Sequence, residues 1–153
     1  MKRLVSFGQL ELAAAGALLV CSLTLCSAPA DLNLQAQLVW GTNNEKPDDP
    51  KLKDVDPQVK DKLRGVFKWK NYFEVNRQDF TLTASAPRKV KMSDLCEIEV
   101  QNLGNSSVEL KLYGKGKMVV RKTQRIKSGE LLVLAGDDKN DTAWFVVLSL
   151  VEK

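Results

Sequence analysis

Two hydrophobic patterns divide the chain: an unbroken apolar run near its start, and alternating apolar positions after it. Residues 12–26 (LAAAGALLVCSLTLC) carry no charge and no proline, and Lys2 and Arg3 precede them. An apolar run of this length after a basic start is typical of a secretory signal peptide, and it is shorter than the ~20 residues of a membrane-spanning helix. We therefore predict an N-terminal signal helix within a signal peptide that covers residues 1–30.

Small residues define the expected cleavage position. Ala28 and Ala30 form the small-x-small pattern that signal peptidase accepts, which predicts cleavage after Ala30. A lipid anchor needs a small residue directly before the modified cysteine, whereas valine precedes Cys21 and leucine precedes Cys26. A retained N-terminal anchor is the other alternative, and the short apolar run disfavours it. We expect a secreted or periplasmic protein with no stable membrane span after cleavage.

After the signal peptide, the dominant pattern is the alternation of apolar and polar residues that a half-buried strand shows. It recurs in short runs between turns rich in Gly, Asn, Ser and Asp, which is typical of a β-sandwich or small barrel. One run begins at Val66, with Phe73 and Val75 expected to point inward. The last run, Thr142–Val151, is apolar on both faces, which predicts a central strand covered on each side. We predict a mainly β fold: a single-domain antiparallel β-sandwich of about eight strands, Greek-key-like, over residues 31–153.

One part of the chain breaks the β pattern. Residues 42–56 are rich in proline, aspartate and lysine, which predicts a solvated loop. Apolar residues then recur every fourth position across 57–64, which predicts one short helix. Asp56 suits its cap, Pro57 its first turn, and Gly65 the residue after its end. A helix this short needs packing to be stable, so we expect it to cover an open end of the β structure.

Cys96 is the one cysteine that remains after the predicted cleavage. It alternates with Ile98 and Val100 on one face of a predicted strand, which indicates a small buried hydrophobe. A single thiol forms no internal disulfide, so an intermolecular disulfide and a reactive thiol are the alternatives.

The chain contains no histidine, and this excludes several classes of chemistry. Ser-His-Asp and Cys-His catalysis both need an imidazole, and common zinc sites need histidine or several cysteines. No glycine-rich phosphate-binding motif occurs, so no cofactor is expected. Paired carboxylates remain, and a small carboxylate-dependent glycan hydrolase is therefore the alternative function. Its candidate acids are Glu74, Glu97, Glu99 and Glu109.

A loop near the C-terminal end holds the acids of a weak calcium alternative: Asp137, Asp138 and Asp141. Calcium takes oxygen ligands from such loops. The EF-hand frame fails, because the sixth position counted from Asp138 is Ala143 rather than glycine. A tight turn is the competing interpretation, since Asp and Asn side chains hydrogen-bond their own backbone.

Two predicted turns carry N-glycosylation sequons, which begin at Asn105 and Asn140. Glycans attach there only in a eukaryotic secretory pathway, and the sequence does not indicate the kind of organism.

Residues 111–127 contain seven basic residues and no acid. Lysines on an edge strand discourage strand-to-strand aggregation, so a solvated edge is one interpretation and an anion-binding surface is the other. The overall net charge of +4 is mild and indicates no particular partner. The candidate binding residues are Lys115, Lys117, Arg121, Lys122, Arg125 and Lys127.

The sequence therefore predicts an exported, non-catalytic interaction or structural domain. Its expected partner is a protein or an anionic cell-envelope polymer, and no nucleic acid is expected. The oligomeric state does not follow from the sequence.

Overall fold

The computed structural model describes residues 28–136 and 141–152. The predicted signal helix, Asp137, Asp138 and Asn140 lie outside the described residues. The described part is mainly β with one short helix, as predicted. Its elements are β1 (Leu32–Thr42), β2 (Lys53–Asp54), α1 (Pro57–Arg64), β3 (Asn71–Leu82), β4 (Arg88–Lys91), β5 (Cys96–Gly104), β6 (Ser107–Gly114), β7 (Lys117–Arg125), β8 (Leu131–Gly136) and β9 (Thr142–Leu150).

The strands form two antiparallel sheets. The first sheet has the order β2-β3-β1-β9-β8, so the first and last strands of the described chain pair side by side at its centre. The second sheet has the order β4-β5-β6-β7, and each of its strands pairs with the next one in sequence. The chain crosses between the sheets after β3 and again after β7.

One apolar cluster joins the two sheets. Leu34, Ala36 and Leu38 alternate along β1 and enter the cluster from the first sheet. Ile98 and Val100 enter it from β5 in the second sheet, and all five side chains are buried. Successive strand residues point to opposite faces, so the alternation in the sequence selects the side chains that form this core.

A second apolar cluster covers the opposite face of the first sheet. Val59 and Leu63 of α1 pack there with Phe145 and Val147 of β9. Val146, which lies between those two residues of β9, belongs to the core between the sheets. This confirms the prediction that the last strand is covered on both faces.

β3 carries a bulge that the sequence pattern did not indicate. Two consecutive residues of β1 pair with Glu74 and Asn76, so Val75 has no partner on β1. The extra residue shifts the alternation. Phe73 is buried as predicted, whereas Val75 is 39% exposed and Glu74 is only 6% exposed. The prediction that Val75 points inward is therefore wrong. Glu74 is buried in its place, and its carboxylate forms an ion pair with Arg77 at 2.5 Å.

The helix has the predicted bounds, but its ends are stabilised differently. Asp56 occupies the N-cap position without a side-chain capping bond. Its carboxylate instead accepts hydrogen bonds from Arg77 at 2.9 Å and from Gln37 at 3.2 Å. A bond to a guanidinium is stronger than a bond to a neutral backbone N–H, so Asp56 anchors the helix start to β1 and β3. Gly65 has φ −70°, so the helix does not end in a left-handed turn.

The segments that flank the helix also differ in detail from the predictions. Residues 42–56 are the predicted solvated loop, but they contain β2 and the buried Val55. Within this range, residues 43–51 form the longest continuous exposed segment. The strand expected from Val66 begins at Asn71 instead. Of residues 66–70, Phe67 and Trp69 pack against the apolar cluster that α1 covers, and the ring of Phe67 lies 4.5 Å from that of Phe145.

Trp144 of β9 requires a glycine on the neighbouring strand. Its cross-strand partner is Gly136 of β8, and a Cβ atom at that position would overlap the indole ring. The indole also approaches Gly114 of β6, where an added Cβ would lie 3.2 Å from Cζ2. Trp144 thus packs between the two sheets and against the main core.

We expect Gly136→Ala to lower the free energy of unfolding by about 1–3 kcal/mol, because the new methyl group forces the indole out of its position. Urea unfolding followed by tryptophan fluorescence measures the change. Gly65→Ala is the matched control: an added Cβ there lies 3.4 Å from its nearest neighbour, so this variant should be no less stable than the parent. Equal stability of Gly136→Ala and the parent would contradict this account of Trp144.

Candidate binding surface

Within residues 28–136 and 141–152, β7 forms an open edge of the second sheet, because β6 is its only hydrogen-bonded strand neighbour. It has nine residues, compared with six in β8, four in β4 and two in β2, the other edge strands of the described part. An edge strand presents unpaired backbone N–H and C=O groups, and short edge strands limit that exposure. β7 is therefore the longest edge strand of the described part.

The cations of β7 lie on both of its faces. Residues directly opposite each other in an antiparallel pair lie on the same face of the sheet. Lys122 is opposite the buried Leu110, so it lies on the core-facing side of the strand, where the rim of the sheet leaves it exposed. Arg121 is opposite Lys111 on the outer face. A charge on the core-facing side of an edge strand opposes the addition of an apolar strand.

A bulge separates β7 into two parts. Met118 and Val120 pair with consecutive residues of β6, so Val119 has no partner. The regular ladder extends from Val120 to Arg125, and we refer to Val120–Arg125 as the β7 edge. Beyond the bulge, the two-residue turn before β7 has positive φ at both positions, as in a type I′ hairpin.

Acids on neighbouring strands compensate two of the basic residues in 111–127, Arg121 and Lys111. Arg121 donates to Glu109 from Nε at 2.9 Å and from Nη2 at 2.5 Å. Lys111 lies 2.7 Å from Glu99 and 3.6 Å from Glu109. The sequence places these acids outside the basic run, but the pairing of β5, β6 and β7 brings them onto the same outer face. The alternation of β5 and β6 could have identified both acids as outward-facing, but not the strand register that makes them partners.

The five remaining candidate residues differ in whether an acid lies nearby. Lys122 and Arg125 lie on the β7 edge, and Lys115 and Lys117 lie at the hairpin end. None of these four has an ion pair within residues 28–136 and 141–152. Lys127 lies 3.5 Å from Glu130. Lys117 and Arg125 are eight residues apart on one strand, or about 26 Å at ~3.3 Å per residue. The surface is therefore a line of charges rather than a compact pocket.

The candidate acids of the alternative hydrolase lie on two different sheets. Glu97, Glu99 and Glu109 are on the outer side of the second sheet, whereas Glu74 is on the first sheet beside Arg77. The hydrogen bond from Arg121 holds the pKa of Glu109 below its usual range, and Lys111 contributes to the shift. A general acid for glycoside hydrolysis needs a raised pKa, so the pKa of Glu109 is shifted in the opposite direction.

The paired Glu109 carboxylate should make stability depend on pH. A carboxylate with a lowered pKa in the folded state stabilises the protein above the unfolded pKa of about 4.5, and the effect is lost as pH falls through the folded pKa. We expect Glu109→Gln to be less stable than the parent at pH 7 and to lose less stability between pH 5 and about pH 3. Glu97→Gln is the control, because its ion pair with Lys89 is longer, at 3.8 Å. Chemical unfolding at a series of pH values tests this, and parallel pH profiles for Glu109→Gln and the parent would contradict it.

Cys96 is packed in the main core, as predicted. Cys96 is a free cysteine and is 5% exposed, and burial raises the pKa of its thiol to about 11. The thiolate is the reactive form, and little of it exists at neutral pH.

We expect a thiol reagent to label native Cys96 at least about a hundredfold more slowly than the unfolded chain, because both the raised pKa and burial oppose reaction. The measurement compares labelling rates with and without denaturant. Equal rates would place the thiol at the surface and would favour the intermolecular disulfide.

Other predicted sites are only partly described. Asp141 is exposed with φ 53°, and Asn105 is exposed in the turn between β5 and β6 with φ 50°. Within the described ranges, no group of three or more Cys, Asp or Glu side chains is placed to hold a metal ion. The same part of the chain has no helix with the length and apolar character needed to cross a membrane.

Comparisons with models of known protein families, with curated proteins and with solved structures found no match for this chain.

Proposed function

We propose that this protein is an exported, non-catalytic interaction domain that binds an anionic partner through β7 and the hairpin before it. One contrast carries the proposal. Four cations on the outer face of the second sheet, Lys89, Lys91, Lys111 and Arg121, each lie within 4 Å of an acid. The four cations Lys115, Lys117, Lys122 and Arg125 have no such neighbour in the described part. Charges left uncompensated along an open edge favour an anionic partner.

Export remains part of this proposal, with a signal peptide at residues 1–30, cleavage after Ala30 and a secreted or periplasmic location. Within the described residues the first strand begins at Leu32, two positions after the proposed cleavage site. We also infer that residues 31–153 form a single β-sandwich domain, which the cluster shared by the two sheets supports. The Greek-key-like connection stays a prediction.

The non-catalytic assignment rests on the chemistry of the side chains. The chain has no histidine, and the pKa of Glu109 is shifted away from that of a general acid. The partner is a protein or an anionic envelope polymer, and the net charge gives no reason to expect nucleic acid.

The test uses two immobilised probes, poly-glutamate and an anionic polysaccharide. We expect the protein to bind at least one of them, with an affinity that falls as salt rises, and Lys122→Glu with Arg125→Glu to weaken binding about tenfold or more. The control is Lys51→Glu with Lys62→Glu, which makes the same change in net charge at exposed positions away from β7. If both double variants bind as the parent does, β7 is not the binding surface.

A further inference from the structure

We infer that the β7 edge binds an extended acidic peptide, which adds to the second sheet as a fifth strand. This inference rests on the proposed function and narrows the anionic partner to a polypeptide. It depends on three observations: the open backbone of β7, the placement of its charges on the two faces, and the absence of acids in the strand itself.

The backbone of the β7 edge has a free side. β6 occupies one side of β7, and no strand of the described part occupies the other. An extended peptide pairs with such an edge through main-chain hydrogen bonds, and pockets or charges that face alternate side chains supply the specificity. A polysaccharide has no repeating amide donors and acceptors with which to continue the ladder. The open edge therefore favours a peptide over a polymer.

The side chains of the β7 edge specify where the acids of that peptide lie. Side chains opposite each other on paired strands are about 5 Å apart and share a face. Lys122 is on the core-facing side and Arg125 is on the outer face, so the peptide needs acids three positions apart. Arg121 already holds Glu109 and adds little. Val120 is half-buried on the same face as Lys122, so an apolar residue fits opposite it.

These positions define a sequence pattern for the partner. An antiparallel strand passes Arg125 first, Lys122 next and Val120 last. Its pattern from the N-terminal end is acid-x-x-acid-x-apolar, and a parallel strand has the reverse order.

The same charges disfavour a second copy of this chain as the added strand. Residues 111–127 contain no acid, so pairing two β7 edges would bring the cations of each copy together without compensation. Like charges on paired strands are destabilising. The cations that keep copies apart are thus the ones that select an acidic strand.

The probe is a blocked peptide with this pattern, Ac-TDVTETVT-amide, and its control is Ac-TDPTEPVT-amide. The two peptides have the same charges, but proline lacks the N–H that a strand ladder uses. Binding to the full chain is measured by fluorescence anisotropy, and the exchange of backbone amides by NMR. Circular dichroism confirms that each protein variant is folded.

We expect the first peptide to bind at least about tenfold more tightly than the proline control, because only the first can form the main-chain hydrogen bonds. Amides of the β7 edge should gain protection from exchange in that complex. Lys122→Glu with Arg125→Glu should abolish the difference, whereas Lys51→Glu with Lys62→Glu should retain it.

Three other outcomes overturn the inference. If the proline control binds equally well and no β7 amide is protected, strand addition is wrong while anion binding stands. If neither peptide binds but the anionic polysaccharide does, in a manner lost with Lys122→Glu and Arg125→Glu, the partner is a polymer. If none of these probes binds, both the inference and the proposed function are wrong.

Discussion

The structure depends on the burial of β1 and β9 on both faces. These strands pair at the centre of the first sheet, so the fold joins the two ends of the described chain. One face of β9 enters the core between the sheets through Val146 and Leu148. The other face enters the cluster under α1 through Phe145 and Val147. A strand that is apolar on both faces must be covered on both faces. The eight-residue helix α1 covers one of them, and this packing stabilises a helix too short to be stable alone.

The second sheet has one buried face, and its chemistry follows from that difference. Its inner side chains complete the main core, while its outer face carries cross-strand ion pairs such as those of Lys111 with Glu99 and Glu109. An exposed ion pair contributes little to stability by itself. On the outer face of this sheet, these pairs neutralise Lys89, Lys91, Lys111 and Arg121, whereas Lys122 and Arg125 of β7 have no acid within 4 Å in the described residues.

An open edge strand must avoid pairing with unrelated strands. The charges that prevent such pairing can also select a strand of complementary charge. Lys122 on the core-facing side of β7 and the bulge at Val119 both oppose indiscriminate pairing. One strand can therefore be both protected against aggregation and able to bind a partner. From the sequence alone these were alternative interpretations of residues 111–127, because the sequence does not show which charges are compensated by a neighbouring strand.

The sequence by itself determined the mainly β class, the bounds of α1, the burial of Cys96 and the two-sided burial of β9. Each of these follows from local periodicity or from residues close together in the chain. Only the tertiary structure decided that β7 is an edge, that Arg121 is neutralised by Glu109, and that Asp56 binds Arg77 instead of capping the helix. These outcomes depend on strand order and register, which bring distant residues together. A period of two indicates which side chains share a face, but not which strand lies beside them.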